Sequence, residues 1–507
     1  MRIPTLAAAV SAAIVLASSP PLLHAQSRVP SELTLETALE LARGSNPAYL
    51  QAANDVELAD WEVRQAWGRL LPSANASSSL TWQGPGEQQF GTLTLGDLGF
   101  GGQPAFYFSN YNLGMNLDVS WSSLLAPRQA RAERSATEAR VRGSEAELVA
   151  QVTTAYLEVL RQQEALELAR AQLENARFNL RLAQGQLEVG AATPIDVGQA
   201  EVQVGRTEVT VLQTENALET ARMRLLQQMG VPVDQEVALV TEFEVTEPEW
   251  TVEELLELAF RTNPGLLATE RSRRAADVAV GQARSAYYPS LSLSTGWSGF
   301  TREAADVDFQ IAQAQAQVAS SVSQCVQTNE IYRRLADPLP TADCTRFAFT
   351  DAQRNAIISR NDQFPFSFET APLSASLTVR LPIFQGLSRQ RNLEAARVQR
   401  DDLAHQLRGQ ELALRADVAV EVANVRTAWR SALLEERNRE LAEQQLRLAR
   451  ERYQLGAITF VELVDAQTVL AQAQRDRNAA VFFYHDAVTR LEALVGVPLR
   501  DQEPSRP

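Results

Sequence analysis

The stretch Glu451–Gln467, ERYQLGAITFVELVDAQ, decides the fold, because its turn joins two very long helical patterns and an earlier copy, QLEVGAATPIDVGQA, does the same. Gly456 ends the incoming helix, having no side chain to resist the left-handed conformation, and Thr459 starts the next as N-cap. Glu462 completes a T-x-x-E capping box. The earlier copy uses Gly190, Thr193 and Asp196, and adds Pro194 at the first helical position, where a missing N–H costs nothing. Gly190 and Gly456 are 266 residues apart.

The offset extends beyond the turns. Arg142-Gly143 maps on Arg408-Gly409, and Gly230-Val231-Pro232 on Gly496-Val497-Pro498, each 266 residues on. Upstream, Asn46-Pro47 corresponds to Asn263-Pro264 and Leu71-Pro72 to Tyr288-Pro289, at an offset of 217. The chain is an internal duplication whose second copy carries a longer loop. The units expected are 26–233 and 251–499, with a linker at 234–250 and a tail at 500–507.

Met1-Arg2, an apolar run from Leu6 to Ala17 and small residues near Ala25 read as a secretory signal over residues 1–25. No cysteine stands near the cleavage point, so a lipid-anchored N-terminus is not expected. Beyond it, no segment has the run of about 18 apolar residues needed by a spanning helix. The net charge of −15 argues against nucleic acid. The sequence contains no lysine, which excludes a Walker A lysine and Schiff-base chemistry. Its three histidines, His24, His405 and His485, are too scattered for a metal cluster, and no G-x-S-x-G elbow occurs. The glycines at 84, 86 and 99–102 lie in a loop with no following helix, so no phosphate cradle is expected. Neither an enzyme nor a cofactor is indicated.

Four segments show strand periodicity. Ser73–Gln83 alternates Ala74, Ala76, Leu80 and Trp82 with Ser73, Asn75, Ser77 and Thr81. From 110 to 122, Tyr111, Leu113, Met115, Leu117, Val119 and Trp121 alternate with Asn110, Asn112, Asn116, Asp118 and Ser120. The second copy repeats this over 290–299 and 371–383. Each is about the ten residues that a tilted strand needs to cross hydrocarbon, with Trp or Tyr at the ends.

Between strands and turns lie helical patterns over Arg128–Val189 and Leu387–Leu455, each on the order of 100 Å at 1.5 Å per residue. The returning helices are Ile195–Met229 and Val461–Val495, and the first of them can continue end to end with Pro264–Tyr287. Four strands cannot close alone, since an open sheet edge in lipid leaves backbone groups unpaired, so the chain is expected to oligomerise. A soluble four-stranded sheet with one face on a core explains the alternation equally well, but not the long helices that set the sheets far from the turns.

In this order and duplicated, these residues resemble the TolC-like outer membrane factors, the exit ducts of tripartite efflux pumps and type I secretion systems. The carriers are the G-x-x-T-x-x-[DE] turns, Leu463-Val464-Asp465-Ala466-Gln467, Leu381-Pro382-Ile383-Phe384-Gln385-Gly386 after the fourth strand, and the Asn-Pro helix starts. The resemblance implies a mainly α fold with a transmembrane β-barrel. A homotrimer would build a 12-stranded barrel in outer-membrane lipid and a 12-helix periplasmic α-barrel, with a periplasmic adaptor docking at the turns and an inner-membrane pump behind it. The competing reading is a non-channel adaptor or coiled-coil scaffold, which would carry one hairpin and a lipoyl-like β domain.

The adaptor-contact residues would be Gly190, Ala191, Thr193, Gly456, Ala457, Ile458 and Thr459. The resemblance also implies a periplasmic gate in which Glu462 and Asp465 give six carboxylates per trimer, favouring cations and binding divalent ones. Glu462 equally serves its capping box, whereas Asp465 lies outside it. Asp196 matches an acid that holds the entrance closed through a tyrosine and an arginine. Tyr453 fits the tyrosine, Ile458 stands at the arginine's place, and Arg452 is the nearby substitute. The first copy reads Ser122-Ser123-Leu124-Leu125-Ala126-Pro127 where the family's Pro-Leu-Phe-Gly-like turn would stand, and the loop 301–369 is unusually long. Cys325 and Cys344, the two cysteines, both fall in that loop; export through an oxidising compartment predicts a disulfide between them.

Overall fold

The computed structural model describes residues 30–86, 89–94, 103–190, 192–235, 237–241, 243–455 and 457–500. The expected signal segment, Gly99 to Gly102 and the tail from 501 lie outside the described residues. In chain order the elements are β1 (Glu32–Leu33), α1 (Leu35–Ser45), α2 (Pro47–Gly68), β2 (Ser73–Gln83), β3 (Gln89–Phe90), β4 (Leu93–Thr94), β5 (Phe106–Val119), α3 (Trp121–Glu188) and α4 (Pro194–Met229). The chain continues with β6 (Ala238–Leu239), α5 (Val252–Thr262), α6 (Pro264–Ser285), β7 (Ser290–Ala304) and α7 (Val307–Arg334). A short 3-10 helix (Cys344–Arg346), α8 (Asp351–Asn361), β8 (Glu369–Thr370), β9 (Ser374–Arg380), α9 (Ser388–Gln454) and α10 (Phe460–Val495) complete it. None of the described helices is long and apolar enough to cross a membrane.

Two compact units emerge, one of residues 1–62, 130–278 and 396–507, the other of 63–129 and 279–395. The first unit is helical, and its cores carry the duplication. Leu148, Val152, Tyr156 and Val159 of α3 are buried with Ala221, Leu225 and Met229 of α4. Their partners 266 residues on, Leu414, Val418, Val422 and Val425 of α9 and Ala487, Leu491 and Val495 of α10, form a second core. Ala38 and Ala42 of α1 map at the 217 offset on Leu255 and Ala259 of α5, again buried in both copies. Identical spacing thus preserves which face of each helix is apolar.

Each copy also has a helix joint. Asn46, between α1 and α2, accepts from Tyr49 N through its Oδ1 (3.0 Å) and donates its amide to the Gln228 carbonyl near the end of α4 (2.7 Å). Asn263 repeats this with Leu266 N (2.7 Å) and the Leu494 carbonyl of α10 (2.8 Å). Gly230 (φ 75°) and Gly496 (φ 84°) end the long helices in the left-handed region. A Cβ on Gly230 would come within 2.3 Å of the Ser45 carbonyl oxygen, and one on Gly496 within 2.6 Å of that of Thr262, so only glycine fits. This corrects the expected stacking: α4 abuts the junction before α2, not Pro264, which receives α10 instead.

In the first copy Tyr156, fully buried, donates its hydroxyl to the Leu33 carbonyl (2.8 Å) and accepts from Thr241 N (3.2 Å). It thereby ties the parallel β1–β6 pair to α3. In the second copy Tyr484 donates to the Thr246 carbonyl (2.8 Å).

The second unit holds the sheet, antiparallel in the order β2-β5-β7-β9, with β8 pairing on β7. Three strands differ in extent from expectation. The strand expected at 110–122 spans Phe106–Val119, because Ser120 already caps α3: Ser123 N and the Ser120 hydroxyl oxygen are 3.1 Å apart. That helix then runs through Pro127 rather than starting at Arg128. The strand expected at 290–299 continues to Ala304, and 371–383 shrinks to Ser374–Arg380, flanked by the separate β8. After β9 the chain turns through Gly386 (φ 56°) and Leu387 (φ 64°). Arg389 pins that bend by donating to the carbonyls of Pro382 (2.8 Å) and Ile383 (2.7 Å) while stacking on Tyr287. The long loop, expected as connecting chain, is mostly the helices α7 and α8. Cys325 of α7 and Cys344 are joined by a disulfide with Cα atoms 5.8 Å apart. Beside it the Asn329 amide pairs with Ala342 N (2.8 Å) and O (2.7 Å).

Candidate gate at the helical turns

Both turns belong to the helical unit. At the first, Gly190 adopts φ 75°. Thr193 caps α4 in a reciprocal box: the Asp196 carboxylate accepts from Thr193 N and Oγ1 (2.8 Å each), and Asp196 N donates to Oγ1 (3.3 Å). At the second, Glu462 accepts from Thr459 N (2.7 Å) and Oγ1 (2.9 Å), and Glu462 N donates to Thr459 Oγ1 (3.3 Å). Hydrogen bonds from the Thr193 and Thr459 backbones, then from their hydroxyls, hold both carboxyls below their ordinary range. Ala191 and Gly456 lie outside the described residues. Ala457 is exposed, Ile458 is half-buried, and Ala457 N donates to the Arg452 carbonyl (2.8 Å), the six-to-one bond of a Schellman ending.

The turns differ where the second copy has larger residues. Phe460, which stands where the first copy has Pro194, is buried against Ala183 of α3 and Ala200 of α4. Tyr453, which stands where the first copy has Leu187, packs on both Phe460 (ring centroids 6.1 Å) and the cluster of Leu446, Leu463 and Ala466. Its hydroxyl donates to Gln186 Oε1 of α3. Burial above all, and to a lesser degree the negative charge of Asp196, push the Tyr453 phenol up, so it is a neutral donor; the Gln186 bond opposes the shift. The structure therefore brings Tyr453 and Asp196 into one neighbourhood, but the tyrosine's hydrogen-bond partner is Gln186 and the carboxylate is engaged by Thr193. Asp465, one turn beyond Glu462, is exposed, as is Arg452.

Further up, Asn179 of α3 and Gln467 of α10 exchange side-chain amides, Gln467 Nε2 donating to Asn179 Oδ1 at 3.2 Å. Arg450 of α9 reaches Asn175 of α3 (3.2 Å). Gln186, Asn179 and Asn175 were not among the residues expected from sequence. Their signal was faint: polar side chains recurring on the helix face that also carries Leu180 and Ala183. No cluster of His, Cys, Asp and Glu able to hold a metal occurs among the described residues.

Comparison with known proteins follows the duplication. The family model "Outer membrane efflux protein" matches residues 38–231 and 301–497, one stretch in each copy. The toluene efflux pump outer membrane protein TtgF of Pseudomonas putida is 28% identical over 255 residues, covering 50% of this chain and 51% of that protein. The outer membrane protein TolC of Vibrio cholerae is 27% identical over 263 residues, 51% of this chain and 56% of that one. The chain thus spans about half the length of the curated relatives it matches. In three dimensions the outer membrane protein VceC of Vibrio cholerae superimposes with a TM-score of 0.65 at 18% identity over 91% of this chain and 96% of that one. The CmeC outer membrane channel of Campylobacter jejuni gives 0.67 at 14% identity over 93% and 87%. With both repeats matched by one family model and nearly the whole chain sharing the fold of these channels, the protein belongs to the outer membrane efflux protein family.

Proposed function

We propose that the chain is an outer-membrane exit duct of a tripartite efflux pump or type I secretion system, working as a homotrimer with a periplasmic adaptor and an inner-membrane pump. The observation that carries this reading is the sheet. On one face Leu80, Trp82, Leu113, Met115, Trp297 and Leu377 are exposed, and the other face carries Ser, Asn and Thr. Among the described residues its terminal strands, β2 and β9, each pair on one side only. A sheet with one oily face and two open edges is stable in a bilayer only when closed, and three copies supply the 12 strands implied by the resemblance. An adaptor or scaffold would need neither that face nor those edges.

The helical turns then form the periplasmic entrance, with Asp465 and Glu462 as its acidic residues and Tyr453, Gln186 and Asp196 as the closing contact. Gly190, Thr193, Ala457, Ile458 and Thr459, together with Ala191 and Gly456, offer a small surface to an adaptor's helical tip. Relatives bear names as different as toluene efflux pump outer membrane protein and cobalt-zinc-cadmium resistance protein, which fits a duct whose substrate choice lies with the pump. Light scattering of detergent-extracted protein should give three chains per particle, and a planar bilayer should show ion conductance. A stable, detergent-free monomer would overturn the reading.

A further inference from the structure

The chain returning from α8 to β9 crosses the apolar face of the sheet at its loop end. It is fastened at both ends of the crossing. Asn361 pairs with β7 as a peptide would, its Oδ1 accepting from Ala304 N (2.7 Å) and its Nδ2 donating to Ala304 O (3.0 Å). Eight residues later β8 pairs with Gly299 and Phe300, and Ala371 N donates to the Ser298 carbonyl (2.8 Å). Between these anchors, residues 363–368, QFPFSF, carry no charge. Phe364 rests on Tyr107 (ring centroids 5.7 Å) and Phe368 on Tyr111 (4.9 Å). Tyr107 and Tyr111 share their strand face with Leu113, Met115 and Leu117, so the crossing lies on the apolar side, not the Ser/Asn side. Gly299 makes room for it: a Cβ there would come within 2.4 Å of the Tyr111 ring, which instead lies over the glycine between Trp297 and Phe368. Ser109 and Thr301, paired between the levels of Tyr107 and Tyr111, are buried, whereas Phe366 is 82% exposed.

We propose that residues 364–368 are a lipid-contacting strap that sets Phe366 into the boundary between acyl chains and headgroups of the outer leaflet. This rests on the barrel reading above. Three features select lipid as the occupant. The exposed ring is continuous with the apolar sheet face that the barrel turns to hydrocarbon. The strap's ends are charged, with Arg360 and Glu369 paired at 3.6 Å, as suits headgroup depth. At the opposite end of the face Trp121 and Tyr288 pair at 5.7 Å and are half exposed, forming a second aromatic level. The ten residues of β5 from Ser109, between the two tyrosines under the strap, to Val119, just before Trp121, span roughly 34 Å along the strand, which at a tilt of about 45° is roughly 24 Å, the height of a barrel's apolar band.

The test is photo-crosslinking of the full chain carrying benzoylphenylalanine at position 366, 297 or 352, reconstituted in vesicles of lipopolysaccharide and phosphatidylethanolamine. Position 366 is a surface ring, so the replacement leaves folding intact. Position 297 reports the barrel's lipid face, and 352, exposed on α8, reports water. Lipid adducts at 366 and 297, each at least tenfold above 352, are expected. Adducts at 297 but not at 366 would overturn the strap while leaving the barrel standing. A crosslink from 366 to a second copy would also overturn it, assigning the strap to a subunit contact. No lipid adduct at either 366 or 297 would remove the barrel reading, and the strap with it.

Discussion

Asn263 holds the end of one helix against the start of another: its amide donates to the Leu494 carbonyl (2.8 Å) while its Oδ1 caps Leu266 N (2.7 Å). One side chain thus satisfies orphan groups at two helix ends. Asn263→Ala should lose both bonds and cost about 1–3 kcal/mol, and Asn263→Asp, which keeps the cap but sets a carboxylate oxygen against the Leu494 carbonyl, should not recover that loss. Gly496→Ala should be worse than either, because a left-handed backbone and a clash with the Thr262 carbonyl combine. Thermal unfolding at fixed protein concentration orders the three variants.

The duplication was legible because it is written twice, in turn residues and in core spacing. Tyr156 and Val422 show its limit: they share a position, but only the tyrosine acquires a hydroxyl contact to the neighbouring β pair. Helix ends were found to within a few residues where a capping box or Gly marked them. Strand ends were missed where alternation failed. Phe106, Phe108 and Phe300 stand on the otherwise polar face, where the alternation rule assumes water, yet β5 and β7 continue through them. The Tyr453–Gln186 bond was out of reach for another reason: it joins residues 267 apart on different hairpins, and no local pattern marks which amide an incoming phenol will meet.

The capping boxes predict a pH dependence at the two helical turns. Glu462 is held below a glutamate's ordinary 4.5 and Asp196 below an aspartate's ordinary 3.8. A lowered folded pKa means the contribution is complete above those ordinary values and is lost as pH falls through the folded ones. Hydrogen exchange in the first turn of α10, corrected for intrinsic rates, should lose protection over that acidic range. In Glu462→Gln the same segment should show a flat profile.

Asp465 should act through charge alone. Asp465→Asn preserves size and sits outside the capping box, so turn geometry should not change. Cation preference in a planar bilayer should move toward unity, and block by divalent ions from the periplasmic side should weaken. Unchanged values would remove Asp465 from the gate.

Cutting the Cys325–Cys344 bond should loosen the loop without dissolving the sheet. Removing the bond restores chain entropy to the opened loop, which for a loop of this length favours opening by roughly 3 kcal/mol, or about a hundredfold in the opening equilibrium. Limited proteolysis between residues 335 and 343 should accelerate by that order in Cys325→Ser/Cys344→Ser, with melting of the assembly little changed. The Asn329–Ala342 pair keeps part of the structure, so Asn329→Ala on the double variant should accelerate cleavage further.

Tyr453 offers the sharpest test of the closing contact. Tyr453→Phe removes the hydroxyl that meets Gln186 but keeps the ring packed on Phe460. A hydrogen bond of this kind is worth about 1 kcal/mol, so the closed state should lose about fivefold in population and open time should rise accordingly. Gln186→Ala should do the same, and the double variant should add little to either, since both remove one bond. The pH response carries an independent sign. Burial and the Asp196 charge raise the phenol pKa above the ordinary 10.0, so the donor is retained through that pH and lost only as pH rises through the elevated value. Single-channel open time of the wild type should therefore be insensitive to Tyr453 titration up to about pH 10 and lengthen above it, while Tyr453→Phe shows no such step. A step in both proteins would assign it to another group, and equal open times at neutral pH would take Tyr453 out of the gate.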